Sequence, residues 1–259
     1  MGAIRECFEE SGILLAKKKE SEALLEISKD ERDEARKAIH GGKMRFGDWI
    51  HEKGGLVDSD SLIPFTRWIT PTNVPKRFTT QMYIYFLPLQ QESLSGVPLH
   101  SETQIPVPTS DGGIEHTAAV FASCAHWLRL ARQNEIVLFP PQFYLMHLLS
   151  AFLTPLSSPS SNELQRQRDA VLGFLERDDG SGVSWREKVM SPTAIAGKSR
   201  DGRAILGLDK PGPELKGSTR AGDPARVVLV NFGKQGPRDV EVRYKDEVLR
   251  EARDSASKL

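Results

Sequence analysis

The chain has 259 residues, of which 39% are hydrophobic, and its 35 basic and 35 acidic residues give a formal net charge of zero. No apolar run approaches the length that spans a bilayer, and no excess of positive charge draws the chain toward nucleic acid or anionic lipid. The composition therefore predicts a soluble globular protein with neither nucleic acid nor membrane as a partner.

Three helices and two strands are predicted before residue 90. The helices are expected at residues 2–12, 20–38 and 46–51, and the strands at 62–69 and 82–87. Gly12 should end the first helix, because glycine readily takes the left-handed conformation just past a helix end, and Gly41-Gly42 should stop the second. The two strand segments are rich in β-branched and aromatic residues, which is typical of neighbouring strands.

After a predicted loop over residues 90–113, helices and strands continue to the end of the chain. A strand is expected at 117–123, helices up to Gln133 and at 142–152 and 162–177, and strands at 204–208, 226–231 and 240–244. The helix after Pro140-Pro141 is apolar on most sides and should be well buried.

Three glutamates in the first helix form the most informative pattern. At about 100° per residue, Glu6, Glu9 and Glu10 fall within an arc of roughly 100°, with the apolar residues opposite. Carboxylates this close repel one another unless a cation relieves them, and hard oxygen ligands suit Mg²⁺ or Mn²⁺. Arg5 lies one turn before Glu9 and can pair with it. The alternative is an acidic, solvated helix face.

The run Arg5-Glu6-Cys7-Phe8-Glu9-Glu10-Ser11-Gly12-Ile13 resembles the second half of the Nudix box, Arg-Glu-x-x-Glu-Glu-x-Gly followed by an aliphatic residue. The resemblance implies an α/β fold with a mixed sheet sandwiched between helices. It also implies a diphosphate hydrolase whose catalytic set includes Arg5, Glu6, Glu9 and Glu10, with the three glutamates holding Mg²⁺ or Mn²⁺. The family places this box after several strands and a Gly-x5-Glu segment, whereas four residues precede Arg5 here. We therefore expect a Nudix fold whose first strands are missing.

Two further segments are similar to the peroxisomal acyl-coenzyme A diphosphatase branch of that family. They are Trp68-Ile69-Thr70-Pro71 with Arg77-Phe78-Thr79-Thr80, and Ile136-Val137-Leu138-Phe139-Pro140-Pro141-Gln142-Phe143. The resemblance covers about residues 1–155 and implies hydrolysis of coenzyme A or an acyl-coenzyme A to adenosine 3′,5′-bisphosphate and a phosphopantetheine product. Members of the branch usually carry Asp at the position of Thr79.

Four side chains in these two segments carry further predictions. The aromatic residues Trp68, Phe78 and Phe143 are expected to pack in the core. Arg77 would either bind a substrate phosphate or pair with a surface acid.

A further acid from a later loop often serves as base or ligand in Nudix enzymes. Glu115 is the candidate for that catalytic role, with Glu102 as a weaker one. The alternative for both is a solvated loop glutamate.

The tripeptide Ser257-Lys258-Leu259 matches the peroxisomal address that an import receptor reads, which predicts that receptor as a partner and the peroxisomal matrix as the location. The expected layout is a Nudix domain over residues 1–155 with a helical insertion at about 20–52, an extension over 156–256, and the tag. Cys7 and Cys124 are too few and too far apart for a disulfide framework, which fits a reducing compartment.

The chain lacks the motifs of other hydrolase classes, since it has no phosphate-binding loop, no His-Glu-x-x-His and no Gly-x-Ser-x-Gly. Two alternatives stay open. The first is that the chain is a truncated, non-catalytic Nudix-like protein that binds a nucleotide. The second is that it is a Nudix hydrolase of another nucleoside diphosphate derivative, such as a nucleotide sugar or a reduced dinucleotide.

Overall fold

The computed structural model describes residues 1–89, 107–109, 119–157 and 159–256. This part of the chain is mixed α/β, which confirms the predicted α/β class, while the Nudix-type arrangement of sheet and helices stays a prediction. It forms two compact units, one made of Met1–Ile63 with Tyr85–Phe121, the other of Pro64–Ile84 with Ala122–Leu259. The sequence domain boundary expected near residue 155 stays a prediction.

In its described residues, the first unit contains three helices and a two-stranded sheet. Its elements are α1 (Gly2–Ser11), β1 (Ala16–Lys18), α2 (Lys29–His40), α3 (Phe46–Glu52) and β2 (Gly55–Val57). Strands β1 and β2 pair antiparallel, with Ala16 opposite Val57. One side chain cluster holds the unit together, with Ile4 and Phe8 of α1, Ala35 and Ile39 of α2, and Phe46, Trp49 and Ile50 of α3 among its buried members.

The helices of this unit follow the sequence patterns at most of their ends. Gly12 follows α1 with φ 72°, the left-handed conformation expected there. Helix α2 begins at Lys29, so the helix predicted from residue 20 is wrong over its first part. Ser28 is the reason, because its hydroxyl accepts a hydrogen bond from the Glu31 amide and fixes the helix start. The short strand β2 has no counterpart among the predicted elements.

The second unit contains nearly all of β3 and the remaining elements. They are β3 (Ile63–Ile69), β4 (Thr79–Ile84), α4 (Cys124–Arg132), α5 (Pro140–Leu149), α6 (Ser161–Leu175), β5 (Val189–Met190), β6 (Thr193–Lys198), β7 (Ala204–Leu208), β8 (Asp223–Gly233), β9 (Gly236–Tyr244) and α7 (Lys245–Ala256). Three strands form a sheet in the order β4-β3-β5, where β5 runs parallel to β3. Four form an antiparallel sheet in the order β6-β7-β8-β9.

The antiparallel sheet buries one face under α7, which the sequence pattern did not predict. Ile205, Val227, Leu229 and Val248 form the buried cluster between sheet and helix. Strand β7 matches its prediction at both ends, while β8 and β9 extend beyond theirs to complete a hairpin. The β6 and β5 strands were missed.

Helix α5 begins at Pro140, two residues earlier than predicted, since proline lacks the amide hydrogen that the first turn leaves unpaired. Its burial is confirmed, with Phe143 and Tyr144 fully enclosed. Residues 119–123 form no strand, contrary to the prediction for 117–123, and Ser123 instead caps α4. Every helix in the described ranges is too short or too polar to cross a bilayer.

Candidate functional site

Helix α1 is fixed in the first unit by its apolar face, as the sequence pattern predicts. Ile4 and Phe8 are fully buried. The Phe8 ring packs with its centroid 5.1 Å from that of Trp49 and 5.6 Å from that of Phe46. Because two turns of α1 are anchored in this way, the backbone that carries the three glutamates has a defined position.

The three carboxylates differ in exposure. The Glu6 side chain is about half exposed at 51%, Glu10 is partly buried, and the Glu9 side chain is only 7% exposed. The alternative of an acidic, solvated helix face therefore does not hold for Glu9. On the helical wheel Glu9 borders the apolar face, and α2 packs against that border and covers it.

Arg5 links two of the carboxylates. One guanidinium nitrogen donates to Glu9 Oε1, which confirms the predicted pairing over one turn, and the other donates to Glu6 Oε1. Although burial lowers the pKa of Arg5, the bonds and charges of Glu9 and Glu6 outweigh it and raise that pKa above its ordinary value. Arg5 thus stays charged while it orients both side chains.

Helix α2 supplies two contacts to Glu9 that the sequence analysis missed. Arg36 donates from Nε at 3.1 Å and from Nη2 at 2.8 Å to the Glu9 carbonyl oxygen. His40 places Nδ1 3.3 Å from Glu9 Oε2. One feature of the sequence could have indicated these contacts. Arg36 lies directly beside the apolar positions of α2, and a charge that is buried there requires partners.

The turn after α1 packs closely against Thr109. Thr109 donates its amide to the Ser11 carbonyl oxygen at 2.8 Å, and its hydroxyl accepts from Arg36 Nη1 at 3.1 Å. A Cβ atom on Gly12 would lie 2.6 Å from the Thr109 hydroxyl oxygen. Glycine is therefore required here both by its positive φ and by the space available.

The oxygen atoms of these carboxylates are of the chemical type that binds a divalent cation. Carboxylate oxygens are the ligands that Mg²⁺ and Mn²⁺ prefer, and each oxygen of Glu9 keeps a lone pair after one hydrogen bond. Within the described ranges, however, no three acidic, histidine or cysteine side chains already converge on one point. A cation held between Glu6 and its neighbours would require Glu6 to turn away from Arg5.

A second buried carboxylate in the first unit has all its partners from the protein. Asp58 accepts from the Tyr85 hydroxyl at 2.7 Å and the Ser61 hydroxyl at 2.9 Å, and Lys17 Nζ lies 3.3 Å away. Burial raises the pKa of Asp58, but these three partners more than offset that effect and hold the pKa below its ordinary value. Asp58 joins β1 to the segments after β2 and before residue 90.

Arg77 belongs to the second unit, where it forms an ion pair with Glu214 and donates from Nε to the Thr70 carbonyl oxygen at 2.9 Å. Of its two interpretations, the structure shows the pairing with a surface acid. Its contact with a substrate phosphate stays a prediction.

The aromatic residues of the similar segments divide between core and surface. Trp68 is 5% exposed and packs edge-to-face on Tyr144, and Phe143 is fully buried, so core packing is confirmed for both. Phe78 is 56% exposed, and its predicted place in the core is wrong. Lys76 lies over its ring instead, with Nζ 5.3 Å from the centroid.

Several predicted residues lie outside the described residues. They are Glu102, Glu115 and the tripeptide Ser257-Lys258-Leu259. Both cysteines are described and half-buried, and burial raises the pKa of each thiol, so neither is an activated thiolate.

No protein-family model matches the chain, and no curated protein and no solved structure is significantly similar to it. The resemblance to Nudix hydrolases stays a prediction from the sequence pattern of residues 5–13 and from the two shorter segments that follow it.

Proposed function

We propose that this protein is a metal-dependent hydrolase of the Nudix kind that cleaves the diphosphate bond of coenzyme A or an acyl-coenzyme A. The products would be adenosine 3′,5′-bisphosphate and a phosphopantetheine derivative. The observation that carries the proposal is the arrangement of α1, where three glutamates and an orienting arginine precede a left-handed Gly12 and then β1.

Three features of this arrangement support hydrolysis over a purely structural acidic helix. The helix backbone is anchored by Ile4 and Phe8, so its carboxylates do not depend on a mobile loop. Arg5 orients Glu6 and Glu9 together. Burying Glu9 costs free energy that a solvated acidic face would not incur, and proteins retain such a cost mostly at functional or strongly paired positions.

The chemistry assigned to the chain is in-line attack of water on a phosphorus atom of the diphosphate. A bond forms between the water oxygen and phosphorus, the bridging P–O bond breaks, and a carboxylate, Glu9 or Glu115, takes the water's proton. Glu6, Glu9 and Glu10 would hold Mg²⁺ or Mn²⁺, which, when bound, neutralises charge on the leaving phosphate and lowers the pKa of water.

Product analysis with the purified full chain tests the proposal. Incubation of coenzyme A with the protein and Mn²⁺ should release adenosine 3′,5′-bisphosphate, and Glu6→Gln or Glu10→Gln should slow release at least about 100-fold. Glu34→Gln, on the exposed side of α2, is the matched control and should retain activity. Intact coenzyme A after incubation with folded protein and either metal would refute the proposed substrate.

A second candidate is binding of the nucleotide without turnover. It is favoured by the absence of a preassembled ligand cage in the described ranges and by the engagement of both Glu9 oxygens. Saturable binding of coenzyme A with no product would select it. Cleavage of a nucleotide sugar or of a reduced dinucleotide, with coenzyme A left intact, would keep the chemistry and change the substrate.

The proposal also places the protein in the peroxisomal matrix, with an import receptor reading Ser257-Lys258-Leu259. A fluorescent protein fused ahead of the full chain should enter peroxisomes. Deletion of the tripeptide should leave it in the cytosol, and unchanged import would contradict this part of the proposal.

A further inference from the structure

The carboxylate of Glu9 is held on both of its oxygens by side chains from two different helices. Arg5 of α1 donates to Oε1, and His40 of α2 has its Nδ1 3.3 Å from Oε2. A carboxylate oxygen accepts, so this contact is a hydrogen bond when Nδ1 of His40 carries the hydrogen. The two contacts together fix the rotation of the carboxylate plane.

The position of His40 is set by packing and not by its own contact with Glu9. Its neighbour Ile39 is 5% exposed in the core that also contains Ile4 and Phe8 of α1. Arg36, one turn earlier on the same helix, ties α2 to the Glu9 carbonyl oxygen. The imidazole is therefore presented to the carboxylate by a rigid pair of helices.

His40 is also suited to the contact by its place in the helix. It lies in the last turn of α2, where the helix dipole favours a donor or a positive charge. The ring is 45% exposed, while the Glu9 side chain is 7% exposed. Removing the imidazole therefore takes little from the core but leaves one oxygen of a buried carboxylate without its partner.

We propose that His40 is a positioning residue of the candidate active site, which holds the Glu9 carboxylate in one orientation for the metal-binding or base role that the proposed function gives it. This inference rests on the proposed diphosphate hydrolysis. His40 itself touches neither substrate nor metal and acts through Glu9 alone.

Three variants of the full chain test the role. His40→Ala removes the donor, and His40→Asn restores an N–H at the place of Nδ1. His51→Ala removes a comparably exposed histidine from the last turn of α3. With coenzyme A and Mn²⁺, we expect His40→Ala to lower kcat about 10- to 100-fold, the range typical for loss of a group that orients a metal ligand.

The pattern across the variants separates positioning from a merely structural role. KM should change little in His40→Ala, which should stay folded at the assay temperature, kcat should largely recover in His40→Asn, and His51→Ala should match the wild type. A wild-type kcat in His40→Ala, or no recovery in His40→Asn, would overturn the proposal.

A measurement without turnover distinguishes this proposal from the function on which it rests. A long-range ¹H–¹⁵N NMR spectrum should show that Nδ1 of His40 carries a hydrogen. If no diphosphate is cleaved but Nδ1 carries the hydrogen, the proposed function fails while the contact with Glu9 stands. A hydrogen on Nε2 alone would overturn the role of His40 whatever the activity.

Discussion

Arg36 is predicted to contribute more to the stability of the first unit than any single exposed charge on α2. Its side chain is 7% exposed, and its guanidinium donates twice to the Glu9 carbonyl oxygen and once to the Thr109 hydroxyl. A net hydrogen bond that involves a charged group contributes about 1.5 to 3 kcal/mol. The two bonds to Glu9 share one acceptor, and the further contact of Nη2 with the Thr109 carbonyl oxygen is long at 3.4 Å. We therefore count two full hydrogen bonds, and Arg36→Met should cost about 3 kcal/mol.

Urea unfolding of the full chain measures this cost. For an m-value of about 2 to 3 kcal/mol/M, the midpoint of the transition that reports on this unit should fall by about 1 to 1.5 M urea. Arg36→Lys keeps the charge but not the planar fork, so it should lose about half as much. Lys37→Met, at an exposed neighbour, should lose less than about 1 kcal/mol. If Arg36→Met is no less stable than Lys37→Met, the hydrogen bonds of Arg36 to Glu9 and Thr109 do not stabilise the end of α1, and the reasoning is refuted.

Three further predictions concern backbone, charge and burial. Gly12→Ala should lower the free energy of unfolding by about 2 kcal/mol, because the new Cβ meets a threonine hydroxyl at 2.6 Å with φ at 72°; unchanged urea stability would refute this. Asp58 has a pKa held below its ordinary 3.8, so its stabilisation is complete above about pH 4 and is lost as pH falls below that value. The free energy of unfolding should therefore fall less steeply with decreasing pH in Asp58→Asn than in the wild type, and as steeply as in the wild type in the exposed control Asp60→Asn. Equal slopes in the two variants would contradict the assignment. Lys188 is fully buried and donates to three oxygens at 2.7 to 2.9 Å, so Lys188→Met should cost about 3 kcal/mol by thermal or urea unfolding, and a loss as small as that of exposed Lys234→Met would overturn it.

The elements that local signals define were predictable from the sequence. Glycine at position 12 marks the end of α1 because it is needed for a local backbone conformation. Pro140-Pro141 likewise signals that a helix starts nearby, although the predicted start at residue 142 was two residues late. Strand β7 was found because its residues are apolar and bounded by polar turns. These signals act over a few residues and need no tertiary partner.

Elements that depend on distant partners were missed or misplaced. Strand β5 has only two residues and exists because it pairs in parallel with Arg67 and Trp68 of β3, more than a hundred positions away. Helix α7 has few apolar residues, and Val248 becomes buried only because the antiparallel sheet lies beneath it. Neither pairing leaves a periodic pattern in the segment itself.

The candidate site was predicted in part for the same reason. Arg5 and the three glutamates lie on one helix, so their spacing shows that they are neighbours. The contacts of Arg36 and His40 with Glu9 join residues that are 27 and 31 positions apart. Their proximity follows from the packing of α2 on α1, which spacing within either helix does not reveal.

Calorimetric titration of the full chain with Mn²⁺ measures whether the carboxylates of α1 bind a cation, and it requires no substrate. We predict saturable binding in the wild type and a loss of at least about tenfold in affinity in the Glu6→Gln/Glu10→Gln variant. The matched control Asp30→Asn/Glu34→Gln removes two exposed acids one turn apart on α2 and should bind as the wild type does. No heat of binding, or equal affinity in both double variants, would contradict the claim that α1 holds the metal.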